Sequence, residues 1–98
     1  MISVVIPSYN SENTIEQCLD SLRKQSHTGR YEIILVDSST DGTPQIVTQN
    51  HTDIKYIHLK EKTDPGTARN MGVAEAQGDI IAFIDSDCIA APDWLTRI

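Results

Sequence analysis

The sequence predicts an α/β fold: a single parallel β-sheet with helices packed on both of its faces. Three observations predict it. Short apolar, β-branched runs alternate with segments of helical periodicity from one end of the chain to the other. Each gap between runs is long enough for a crossover helix, which makes the connections right-handed βαβ units. The runs are continuously apolar and do not alternate, as in strands covered on both sides.

The elements follow in order. ISVVI (2–6) is the first strand, ended by Pro7 and the polar stretch PSYNSEN. Ile15, Cys18, Leu19 and Leu22 then recur at i, i+3, i+4 and i+7, one face of a helix. Asn10 or Ser11 supplies its N-cap, and Glu12 suits the first turn. YEIILV (31–36) is the second strand, closed by DSSTDGT, and Pro44 fits the N1 position of a short helix carrying Ile46 and Val47. IKYIHL (54–59) is the third strand, where Lys55 and His58 mark an edge. A helix from about Thr67 to Gln77 is rich in small residues (Ala68, Gly72, Ala74, Ala76), and Gly78 ends it at the C′ position. DIIAFI (79–84) is the fourth strand, and Pro92-Asp93-Trp94-Leu95 opens another helix. Windings to both sides of strand one predict the spatial order 3-2-1-4, with strand one central.

The bulk numbers narrow the function. A chain of 98 residues makes one domain with one modest core. A formal charge of −6 argues against nucleic acid or an anionic membrane surface as the main partner, since both need a positive footprint. No apolar stretch approaches the roughly 20 residues of a membrane span. The first residues lack a charged n-region and a cleavage site, so no signal peptide is read. Cys18 and Cys88 are therefore expected as reduced thiols in a cytoplasmic setting. His27, His51 and His58 show no metal-ligand spacing and read as surface residues.

In open parallel sheets, ligands bind outside the carboxyl ends of the strands. At those ends stand Pro7 to Asn10, Asp37 to Gly42, Asp64 to Gly66, and Asp85-Ser86-Asp87. Asp85 and Asp87 sit two apart, so in an extended chain both carboxylates face one side and can address one hard cation. Oxygen ligands suit Mg²⁺ or Mn²⁺, which would bridge a diphosphate and neutralise charge on it as it leaves. A solvated βα loop is the plain alternative for the same pair. Asp37 either accepts a hydrogen bond from a base or ribose or merely opens a turn, and Asp41-Gly42 reads as turn chemistry. Tyr9 either offers a ring on which a base can stack or, as a lone tyrosine more often does, simply packs. Arg69, near a helix N-terminus, opposes the dipole and calls for a partner, either a carboxylate or a phosphate. GTARNMG is not a dinucleotide fingerprint, and no P-loop is present.

Taken in order, VVIPSYN, ILVDSSTDGT, GTARNMG, GDIIAFIDSDC and PDWL resemble the N-terminal half of a family 2 glycosyltransferase. The resemblance covers essentially the whole chain and implies the GT-A fold, a Rossmann-like nucleotide-sugar-binding sheet, here truncated. It further implies a nucleotide-diphospho-sugar donor (a UDP- or GDP-sugar), a divalent cation (Mn²⁺ or Mg²⁺), and inverting transfer to the hydroxyl of a sugar or lipid-linked acceptor. By position, Pro7 and Tyr9 line the base pocket with Glu12 close by, and Asp37 belongs to the segment that contacts the base. Arg69 approaches the nucleotide, Asp85 lies nearer the ribose, and Asp87 holds the metal in an Asp-x-Asp motif. Family members often carry a second acidic residue after strand two, where this chain has Ser38. Residues 1–98 are thus expected to be the donor-binding half, with the acceptor half and the general base beyond Ile98. Such a fragment is expected to be inactive alone and prone to self-association. The full-length protein is expected in the cytoplasm, free or at a membrane. Two rival readings remain open at this stage: a non-catalytic nucleotide-binding module, and a phosphohydrolase of the haloacid dehalogenase kind, whose nucleophile motif also reads Asp-x-Asp.

Overall fold

The computed structural model describes every residue from Met1 to Ile98. The strands are β1 (Ile2–Ser8), β2 (Tyr31–Asp37), β3 (Lys55–His58) and β4 (Ile80–Phe83). The helices are α1 (Ile15–Arg23), α2 (Thr43–Asn50) and α3 (Pro65–Glu75), with a 3₁₀ turn at Leu95–Arg97. All pairings are parallel and the sheet order is β3-β2-β1-β4, as the sequence predicts. Strand β1 is central and buried along its full length, and β3 pairs only with β2.

Side-chain alternation divides the core in two. Val4, Ile6, Ile33 and Leu35 face α1 and α2, joining Ile15, Leu19, Leu22 and Val47. Val5, Ile34 and Val36 face the other way and meet Ala68 of α3. Helix α3 lies close to the sheet because residue 72 is glycine: a Cβ there would stand 2.4 Å from Val5 Cγ1. The small-residue helix of the sequence therefore packs as expected.

Several boundaries differ, each for a visible reason. Regular α1 starts at Ile15 with Thr14 as its cap, and neither Asn10 nor Ser11 caps it by side chain. Those two side chains are used elsewhere, although the Ser11 carbonyl accepts from the N–H of Ile15 at 2.8 Å. Pro44 is the second residue of α2, one later than expected. Helix α3 begins two residues early because Asp64 caps it, accepting from the Thr67 N–H at 2.8 Å, and Pro65 suits N1. Gly78 is not a helix cap, since α3 ends at Glu75 with Ala76 extended. Its backbone instead runs against β1, where a Cβ would come within 2.6 Å of the Met1 carbonyl oxygen. The last helix is only a 3₁₀ turn. Cover on both faces holds for β1 but not for β4, whose Ile80 and Phe83 are 44% and 47% exposed. No helix is long and apolar enough to cross a membrane.

Candidate functional site: a cleft at the carboxyl ends of the strands

The register brings the strand ends to one rim. Ser8 pairs with Asp37, and Asp37 with His58, whereas β4 stops earlier, with Phe83 opposite Val5. The loop after β4 therefore drops beside the end of β1 and forms one wall of a cleft of about 570 Å³. Its lining comes from the end of β1 (Pro7, Tyr9), the start of α3 (Pro65, Arg69) and the β4 loop (Asp85, Asp87).

The β1–α1 loop is pinned from behind. Asn10 adopts φ 49°, a left-handed conformation that asparagine tolerates. Its amide oxygen accepts from the N–H of Thr40 at 2.8 Å, and its own N–H donates to Ser39 Oγ at 2.7 Å. The Ser11 N–H donates to Thr43 Oγ1 at 3.0 Å. Asp41 gathers the hydroxyl and N–H of Thr43 and the N–H of Glu12. Partial burial works against its charged form, but those hydrogen bonds outweigh it and hold the Asp41 carboxyl below its ordinary range.

The β4 loop is tied to the same place by a chain of hydroxyls. Ser8 Oγ donates to Ser11 Oγ at 3.1 Å, and Ser11 Oγ and Ser86 Oγ lie 2.7 Å apart. Beneath the loop, the Cys18 thiol donates to the Asp85 carbonyl at 3.7 Å. Burial, then the neighbouring Cys88, Asp87 and Asp85, push that thiol up to about 12, so Cys18 stays neutral. With Ser86 turned inward, Asp85 and Asp87 face the cleft. Arg69 donates from Nη2 to Asp85 Oδ1 at 3.2 Å. Both partners are substantially exposed, so this ion pair contributes at most about 1 kcal/mol. It supplies the carboxylate partner that Arg69 needs, and the early start of α3 moves Arg69 one turn inside the helix.

Not all the predicted residues meet in the cleft. Pro7, Tyr9, Arg69, Asp85 and Asp87 line it; Glu12 and Asp37 do not. Glu12 turns toward α2, accepting from the Gly42 N–H at 2.9 Å. Asp37 is fully buried, and its carboxylate accepts from the Tyr56 hydroxyl at 2.7 Å and from the hydroxyl and N–H of Ser39. It enters the site as the anchor of the β2–α2 turn, with both carboxylate oxygens already accepting hydrogen bonds.

The sequence reading also missed residues. Ser86 sits in a turn after β4, closed by the Cys88 N–H on the Asp85 carbonyl at 3.0 Å, and not in the extended segment that the sequence suggests for the Asp85–Asp87 pair, so no periodicity marked it. Lys62, with its ammonium 4.4 Å from the Tyr9 ring centroid, carried no local signal. His51 is a correction: it is buried, not a surface residue. Arg23 can only donate, so His51 Nδ1 accepts from it at 2.7 Å, and Nε2 then donates to Glu16 at 2.8 Å. Glu16, Asp20 and His51 cluster like metal ligands. With both ring nitrogens engaged and a guanidinium alongside, that cluster is a structural network.

The donor set in the cleft does suit a hard cation. Carboxylate oxygens of Asp85 and Asp87 lie within 4.8 Å of one another and both residues line the cleft, whereas the nearby Cys88 thiol is a soft donor and adds nothing to a hard-cation site. The profile of the family described as Glycosyl transferase family 2 matches residues 3–98. The chain belongs to glycosyltransferase family 2. Glycosyltransferase AglE of Haloferax volcanii is 36% identical over 101 residues, which cover 98% of this chain and 33% of that protein. The crystal structure of S. aureus TarS in complex with UDP-GlcNAc superposes with a TM-score of 0.89 at 36% identity, covering 98% of this chain and 29% of that one. Glucosyl-3-phosphoglycerate synthase from Mycobacterium tuberculosis, crystallised with Mn²⁺, UDP and glucosyl-3-phosphoglycerate, superposes at 0.70 with 32% identity, covering 88% and 33%. The chain thus spans about a third of the length of these relatives. Its sheet is the Rossmann-like GT-A arrangement of family 2. Family membership also sets aside the haloacid dehalogenase alternative: the Asp-x-Asp here follows the fourth strand of a family 2 sheet.

Proposed function

We propose that residues 1–98 form the donor-binding part of an inverting, metal-dependent glycosyltransferase that uses a UDP-sugar. The observation that carries this reading is the cleft itself. Two exposed carboxylates and a guanidinium line the same cleft as an exposed tyrosine ring, on the sheet shared with a structure that holds UDP-GlcNAc. The exposed Tyr9 ring presents a flat face for the base, with the buried Pro7 beneath at the cleft wall, and Arg69 reaches the nucleotide from α3 while holding Asp85. Ser11 and Ser86 keep the Asp85–Asp87 loop at its distance from that platform. A divalent cation, Mn²⁺ or Mg²⁺, held by Asp87 with Asp85 beside it, supplies the charge that stabilises the departing diphosphate. Acceptor binding, by a sugar or lipid-linked hydroxyl, and the general base are assigned to residues outside 1–98.

Titration calorimetry with UDP tests this. A diphosphate bound without a cation would face Asp85 and Asp87 directly, so EDTA should weaken binding by on the order of tenfold or more. Asp87→Asn should reduce the metal dependence more than Asp85→Asn, which mainly loses the exposed ion pair with Arg69, worth at most about 1 kcal/mol. Equal UDP affinity with Mn²⁺ and with EDTA would leave the pair a solvated loop and overturn the proposal.

A further inference from the structure

Lys62 makes no ion pair, although the chain carries a formal charge of −6. Its ammonium instead covers the Tyr9 ring, 4.4 Å from the centroid. The two residues come from opposite sides of the mouth. Tyr9 follows β1 and lines the cleft at 42% exposure, while Lys62 precedes Thr63 and Pro65, which line it from the β3–α3 loop. The contact therefore occupies an aromatic face at the entrance with a cation that has no carboxylate to hold it.

We propose that Lys62 makes the cleft selective for ligands carrying both a base and a diphosphate, by exchanging the Tyr9 ring for a phosphate oxygen as they bind. This rests on the donor-site reading above and extends it to a residue that reading does not use. An ammonium gains more from a charge-assisted hydrogen bond to phosphate than from an exposed ring, so the exchange runs toward the phosphate. Its departure uncovers the ring face for the base. A nucleoside alone must displace Lys62 and offers it nothing in return. Inorganic diphosphate engages Lys62 but leaves the ring bare.

The test compares uridine and UDP, at fixed Mn²⁺, on the full chain and on two variants. Lys62→Ala should tighten uridine about two- to fivefold, by removing the competing contact with the ring. The same variant should weaken UDP by on the order of 10–100-fold, through loss of a hydrogen bond to a charged group. Lys62→Arg, which keeps the charge, should restore UDP binding to within about threefold. Opposite signs for the two probes are a result that a purely structural role for this exposed side chain would not produce. Changes of the same sign, or unchanged UDP affinity in Lys62→Ala, would overturn the role of Lys62 while leaving nucleotide binding intact. A parent chain that binds neither probe would overturn the donor-site reading together with it.

Discussion

Replacing Tyr56 with phenylalanine separates the two roles that Asp37 can have. The Tyr56 hydroxyl donates to Asp37 Oδ2 at 2.7 Å, while Ser39 satisfies Oδ1. Burial, then the hydrogen bond to Asp37 and its charge, push the Tyr56 hydroxyl far above its ordinary range, so it remains a donor at any working pH. Phenylalanine keeps the ring that packs against the core and removes only this donor. Oδ2 of a fully buried carboxylate is then left without its partner. A hydrogen bond to a charged group is worth about 1.5–3 kcal/mol. That is a large share of the ~5–15 kcal/mol that holds a domain folded. In a domain of this size each kcal/mol moves the melting temperature by about 4–8 °C, so Tyr56→Phe should melt on the order of 10 °C lower. Thermal and urea unfolding measure the loss. UDP titration on the same variant should give a dissociation constant within about twofold of the parent, because neither Tyr56 nor Asp37 lines the cleft. An unchanged melting temperature combined with lost UDP binding would mean that Asp37 meets the base and that its enclosure is not maintained in solution.

Two further outcomes are expected. Gly78→Ala would place a Cβ 2.6 Å from the carbonyl oxygen of Met1, just before the central strand, and 2.9 Å from the Ser3 nitrogen within it. The urea midpoint should fall by the equivalent of about 1–3 kcal/mol, and an unchanged midpoint would show that the approach is slack. For Glu32, burial alone would raise the carboxyl, but bonds from Ser3 Oγ, the Gln77 N–H and Lys55 outweigh it and hold it below the ordinary range. A lowered folded value means the stabilisation is present above the unfolded pKa of about 4.3 and is lost as pH falls through the folded value. Glu32→Gln should therefore flatten the acid limb of a stability–pH curve, and parallel limbs in the two proteins would count against the assignment.

Much of the cleft was legible in the sequence because its residues are placed by topology. Parallel strands put their carboxyl ends on one rim, so Pro7, Tyr9 and the Asp85–Asp87 pair had to share it. Arg69 was marked by an electrostatic misfit at a helix start, and its partner proved to be Asp85. Asp37 and Glu12 stand in the right segments but turn away, because a strand end or loop can direct a carboxylate outward or into a turn with the same local pattern. The α3 start was misplaced by two residues although Asp64-Pro65 was in view, since the periodicity of a small-residue helix is too weak to set its boundary.

By itself, the sequence determined the strand and helix order, the parallel sense of the sheet, the central place of β1 and the rim where chemistry gathers. Those follow from continuous apolar β-branched runs, a helical period of 3.6 residues and the handedness of crossovers, which are local or topological rules. Tertiary structure alone decided that Tyr56 holds Asp37 across 19 positions, that Ser11 meets Ser86 across 75, and that His51 is buried between Arg23 and Glu16. It also set Lys62 over Tyr9. Each of these depends on the distance and rotation between packed elements. Hydrogen-bond and ring contacts are won or lost within about an ångström, finer than any periodicity along the chain records.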